Sequence, residues 1–127
     1  DATRDRPSHE RLEAWQKGKD LVVGCYQIAQ RLPDVERFGL ASQLRRAAVS
    51  VPTNIAEGCS REGPRDRLRF LAIARASLSE VRTLLLITVD LDYVTSDDLE
   101  SLLNLHAQVA RLVAGLRRRL IRLSTTH

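Results

Sequence analysis

A chain of 127 residues, 43% of them hydrophobic, suits one domain with a real core, and no apolar run approaches the length that crosses a bilayer. Aromatics are only 4%, so the core must be aliphatic; with few glycines and prolines, that composition favours an all-helical domain. The formal net charge of +4 and a pI of about 9.7 lean towards an acidic partner, nucleic acid included, but are too modest to make that case alone.

The first predicted helix covers residues 8–32, after a short N-terminal tail over residues 1–7. Pro7-Ser8 gives its start, and Glu10 and Glu13 lie near the positive end of the dipole. Trp15, Gly18, Val22, Cys25, Ala29 and Leu32 alternate three and four residues apart, the spacing of a bundle seam. Pro33-Asp34 ends it. The second helix is predicted over residues 39–59, with Leu40, Leu44, Ala47, Val51 and Ile55 on its core face. Pro52 removes one backbone donor and crowds the carbonyl of Ala48, so a kink is expected there. A polar stripe of Gln43, Arg46, Ser50, Asn54, Glu57 and Arg61 runs beside the apolar one. It reads either as a solvated face or as a recognition or subunit-contact face.

Two glycines, a serine and a proline make residues 58–64 a turn, with 60–64 readable as a mobile loop. The third helix is predicted from residue 64 or 65 to 91, where a proline in the first turn costs no intrahelical hydrogen bond. Its seam is Leu71, Ala74, Leu78, Val81, Leu85 and Thr88, with Leu84 and Leu91 beside it. Asp90, Asp92 and Tyr93 mark the next turn. The fourth helix opens at Thr95 or Ser96, with Asp97, Asp98 and Glu100 favouring its positive end, and runs to about residue 123. Leu99, Leu102, His106, Val109, Val113, Leu116, Leu120 and Leu123 form its seam, while Leu103, Leu105, Leu112 and Ile121 lie off it. So wide an apolar face belongs either to a deeply buried helix or to one that meets another subunit, and those four residues are the candidate subunit contacts. Short links between long helices give an up-down-up-down antiparallel four-helix bundle.

The motifs Phe38-Gly39-Leu40, Gln43-Leu44-Arg45-Arg46-Ala47, Ser50-Val51-Pro52 and Asn54-Ile55-Ala56-Glu57-Gly58 carry a family resemblance. It continues in Leu12, Trp15-Gln16-Lys17 and Leu21, and downstream in Phe70-Leu71, Ile73-Ala74-Arg75 and Ser77-Leu78-Ser79-Glu80. The chain resembles the bacterial four-helix-bundle family encoded within intervening sequences of 23S ribosomal RNA genes. The family often has Ala where this chain has Gly18, and Gly where it has Ala76; neither change threatens the fold, although the Ala76 methyl bears on how closely another helix approaches. A distant relative, an accessory protein of diversity-generating retroelements, resembles a five-fold ring with a basic channel and works with a reverse transcriptase and nucleic acid. The resemblance therefore implies a homopentamer, with RNA or DNA and a nucleic-acid-processing protein as further partners. No catalytic residues are established for the family, so none is implied here.

Arginine supplies eighteen of the twenty basic residues. Its guanidinium forks suit phosphates and carboxylates, though genomic base composition also favours Arg codons. Arg111, Arg117, Arg118, Arg119 and Arg122 give the C-terminal segment a local charge of about +5, with no acid from residue 111 onward. They are the first candidates for phosphate contact, with Arg45 and Arg46 as a second patch. Three consecutive arginines point in different directions around a helix. Arg61, Arg65, Arg67 and Arg69 are partly neutralised by Glu62 and Asp66, and read as solvated. No exposed aromatic series accompanies these groups, so contacts are expected to be led by phosphates, with little sequence specificity.

Cys25 and Cys59 read as free thiols of a cytoplasmic protein, and His106 as a hydrogen-bonded core residue. No metal-ligand spacing, Walker loop, dinucleotide fingerprint, HExxH or nucleophile elbow is present. No cofactor, metal or catalytic residue is expected. The chain begins at Asp1 and holds no methionine, so its natural start is expected to lie upstream. The sequence thus points to a non-enzymatic, oligomeric bundle that contacts nucleic acid through arginine; the rival is a protein-interaction scaffold.

Overall fold

The four apolar stripes become four helices: α1 (His9–Arg31), α2 (Leu40–Ser60), α3 (Pro64–Asp90) and α4 (Ser96–Thr125). The computed structural model describes residues 9–125, so the expected start at Ser8 and the expected tail lie outside the described residues. Each helix packs on its neighbours in the chain, and α4 closes on α1. With short links between them, consecutive helices run antiparallel, as an up-down-up-down bundle does. The core is aliphatic: Leu21, Leu44, Ile55, Leu85 and Leu99 are its largest fully buried side chains. No helix among the described residues is long and apolar enough to cross a membrane.

The predicted seams of α2 and α3 are buried throughout, and that of α4 is buried as far as Leu120; Leu123, at its end, is half exposed. In α1 four of the six expected seam residues, Gly18, Cys25, Ala29 and Leu32, are buried, and the row one residue earlier, Ala14, Leu21 and Ile28, is buried with them. Trp15 and Val22 are half-buried flanks packed against the core. Both rows keep the same three-four rhythm, and the bulky indole sits better at the edge, where Lys19 covers it.

α2 remains helical through Pro52, whose ring is buried against α1. A Cβ on Gly18 would lie 3.3 Å from Pro52 Cβ, so the absent methyl lets the two helices approach. Gly58 does the same against α3, where a Cβ would lie 3.3 Å from the Arg67 carbonyl oxygen. Ala76 is exposed on the surface of α3.

The links are tied by specific bonds. Between α1 and α2 a 3₁₀ turn (Asp34–Glu36) appears that periodicity does not show. One Glu36 carboxylate oxygen accepts the Leu40 N–H at 3.1 Å and the other accepts the Tyr93 hydroxyl at 2.9 Å, joining this link to the α3–α4 turn. Between α2 and α3 only residues 61–63 intervene, where a mobile loop was the alternative. There Arg67 Nε donates to the Arg61 carbonyl at 2.6 Å. α3 ends in a Schellman-type closure: Tyr93 N–H bonds to Thr88 O and Asp92 N–H to Val89 O, both at 2.9 Å, with Asp92 left-handed at φ 62°. A short polar side chain tolerates that conformation better than most.

Candidate nucleic-acid interface

On α4, steps of seven and four residues sort the side chains into rows. Arg111, Arg118 and Arg122 share the outward row and all are exposed. At 1.5 Å rise per residue they stand about 10 Å and about 6 Å apart along the axis. Arg117 follows Leu103 and Ala110 down one flank, and Arg119 follows Leu105 and Leu112 down the other. Both are half-buried, and Arg117 Nε is enclosed without a hydrogen-bond partner. The consecutive arginines thus point three ways, as expected, and only Arg118 joins the outward row.

At the end of the bundle where α4 finishes, a cavity of about 170 Å³ opens between all four helices. Arg11 of α1, Arg67 of α3 and Arg119 of α4 line it, over a floor of Leu71, Leu116 and Leu120. Cys59 also lines it. Partial burial raises its thiol pKa above the ordinary value, against the pull of Arg11 and Arg67. Cys25 lies deep in the core, where burial pushes its thiol up to about 12. Neither thiol is poised as a thiolate nucleophile near neutral pH, and both are free.

The other basic groups divide. Arg61 pairs with Glu57 at 3.1 Å, and Arg69 with Asp66 at 2.9 Å, so the start of α3 is largely self-neutralised. Arg46 is exposed, and Arg45 is half-buried with its guanidinium 5.9 Å from the Tyr26 ring centre. Tyr26 is itself 40% exposed, so one aromatic, though not a series, stands beside this patch. The signal for it was its place just outside the α1 seam.

The polar stripe of α2 also divides. Ser50 meets α3, where Ser77 Oγ donates to Ser50 Oγ at 2.7 Å, and Asn54 Nδ2, from α2 itself, donates to the same oxygen at 3.0 Å. Gln43 and Glu57 are exposed, and Arg61 is half-buried with its guanidinium 4.7 Å from the Phe70 ring centre. Among the candidate subunit contacts, Leu103, Leu105 and Leu112 pack against the bundle's own core, while Ile121 is 42% exposed. Elsewhere Val35 and Phe38, at 82% and 87%, are the most exposed large apolar residues of the described chain. Among the described residues no three His, Cys, Asp or Glu side chains gather as metal ligands would.

A comparison with curated proteins gives no match. Among solved structures, the fold is similar to that of a Bacteroides thetaiotaomicron protein of unknown function from the S23 ribosomal protein family. The TM-score is 0.79 at 20% identity, covering 86% of this chain and 98% of that one. The family profile described as 23S rRNA-intervening sequence protein matches residues 10–115. That match takes in the α1, α2 and α3 motifs and most of α4, and the chain belongs to the 23S rRNA-intervening sequence protein family.

Proposed function

We propose that this protein is a non-enzymatic, oligomeric helical bundle that binds RNA or DNA through arginine–phosphate contacts with little sequence specificity. The observation that carries the reading is the outward row of Arg111, Arg118 and Arg122, a set of exposed guanidiniums in a segment without acids. A straight row of forked cations meets a phosphate backbone without reading base edges. Assembly multiplies the effect, because modest contacts repeated on one rigid body act together. The homopentamer rests only on the resemblance to the ring-forming accessory proteins of diversity-generating retroelements, as does a nucleic-acid-processing protein as partner.

The test is an affinity titration of duplex and single-stranded RNA and DNA across several salt concentrations. Replacing Arg111, Arg118 and Arg122 by Gln is expected to weaken binding to many sequences alike. Loss of three phosphate contacts would lower the log–log salt slope by roughly 2–3 per subunit engaged. An unchanged slope in the variant, or no wild-type binding at low salt, refutes the mechanism. The second reading, a protein-interaction scaffold, is favoured by the exposure of Val35 and Phe38. It predicts that Phe38→Ser abolishes a partner contact while nucleic acid is ignored.

A further inference from the structure

The chain has five aromatic residues, and two of them face one groove. Trp15 and Tyr26 are eleven residues apart on α1. Three helical turns bring them to the same face, about 16 Å apart along the axis. Opposite them, α2 presents Arg45, Val49, Thr53 and Ala56 at steps of four, four and three. The hollow beside Tyr26 is lined by Arg45, Arg46, Val49 and Ser50, and the hollow beside Trp15 by Lys19, Pro52 and Ala56. Thr53 lines both, so the two form one groove along the α1–α2 seam.

Each aromatic carries a cation: Lys19 Nζ lies 3.7 Å from the Trp15 ring centre and the Arg45 guanidinium 5.9 Å from that of Tyr26. The acid on the groove, Glu57, is already engaged by Arg61 at 3.1 Å. Ring faces beside cations are what unpaired bases and their phosphates need, whereas a duplex keeps its base faces stacked inside. The outward row of α4 is arginine, and no residue of α4 itself is a Phe, Trp or Tyr, so the row does not distinguish the two forms.

We infer that the α1–α2 groove binds single-stranded nucleic acid, with a base stacking at Tyr26, phosphates on Arg45, Arg46 and Lys19, and Trp15 lying beneath Lys19 at the groove's other end. The inference rests on the nucleic-acid reading above and adds to it the strand form and a second site. Because Trp15 is the chain's one tryptophan, its fluorescence reports on the groove directly.

The experiment compares a labelled single-stranded oligonucleotide with its duplex, by anisotropy and by Trp15 quenching, on wild type, Tyr26→Ala, Tyr26→Phe and the α4 variant with Arg111, Arg118 and Arg122 changed to Gln. Single strands are expected to quench Trp15 and duplexes to leave it unchanged. Tyr26→Ala should weaken single-strand binding by about five- to a hundred-fold and spare the duplex, with Tyr26→Phe close to wild type. Tyr26 is partly exposed, so circular dichroism of the variants should match wild type. Equal loss for both strand forms, no loss for either, or a changed assembly mass with intact single-strand affinity (the mark of a second copy seated in the groove) would overturn the inference. If wild type binds through the α4 row alone, only this inference fails. If it binds neither form at low salt, the nucleic-acid reading fails with it.

Discussion

His106 lies in the α4 seam with 7% exposure, and its Nε2 is 2.6 Å from the Leu78 carbonyl of α3. A carbonyl only accepts, so Nε2 carries the proton and the ring is fixed as a donor across the helix pair. The same carbonyl also belongs to the α3 ladder, so loss of the imidazole does not orphan it. Packing therefore outweighs the bond at this position. His106→Ala is expected to cost about 2–4 kcal/mol, in the range of other large-to-small core changes. His106→Leu keeps most of the volume and is expected to cost less than about 1.5 kcal/mol. Urea unfolding of the two variants decides the matter: equal losses would mean that the bond, not the volume, dominates. The histidine's core role was legible from its place in the stripe. Its acceptor was not, because periodicity along α4 says nothing about which α3 carbonyl lies opposite.

At the scale of the element, the start of α4 shows local chemistry and tertiary contact joined in one carboxylate. Thr95 Oγ1 accepts the Asp98 N–H at 3.2 Å and Asp98 Oδ2 accepts the Thr95 N–H at 2.9 Å, a reciprocal capping box. The same Oδ2 accepts from Arg31 Nη2 at 3.0 Å, tying the end of α1 to the start of α4. The Thr95 bonds, then Arg31, hold the Asp98 carboxyl below its ordinary pKa. A lowered pKa means that the unfolded chain takes up the proton first as pH falls. The stabilisation is therefore complete above the ordinary carboxylate range, near 3.9, and is lost as pH falls through the lowered value. Asp98→Asn should melt below wild type at pH 6, with the gap closing in strong acid; a gap that stays open across the titration would overturn the charge-based account. The acids at this helix start were legible as a cap, since the signal is local. In α1 the expected seam holds at Gly18, Cys25, Ala29 and Leu32, but Trp15 and Val22 give way to Ala14 and Leu21, because one helix's periodicity cannot choose between two adjacent apolar rows. The Glu36 link to Tyr93 had no local signal at all, because it joins two turns far apart in the chain.

Across the whole molecule, folding sorts charge that the sequence only counts. Asp34, Asp90, Asp92 and Asp97 gather where α1 meets α2 and α3 meets α4, while Arg11, Arg67 and Arg119 gather at the other end. The C-terminal arginine cluster was legible; its division into an outward row and two flanks needed only helical geometry, but the cavity needed three helices brought together. The apolar surplus of α4 was likewise legible as a count and not as a surface. Leu103, Leu105 and Leu112 are partly buried against the bundle's own core, while Ile121 and Leu123, at 42% and 52%, are the more exposed apolar residues of α4. A neighbour that meets α4 at its C-terminal end would cover those two. Light scattering at micromolar concentration is expected to report several subunits, and Ile121→Glu to lower that mass while helicity persists. Leu112→Glu should instead lower stability first, because a carboxylate there displaces a packed side chain. Charge placed at an exposed apolar contact disrupts only what covers it, so the pair separates assembly from folding. A monomer over a broad concentration range, or an unchanged mass for Ile121→Glu, would remove α4 from any interface and leave the arginine row to act one chain at a time.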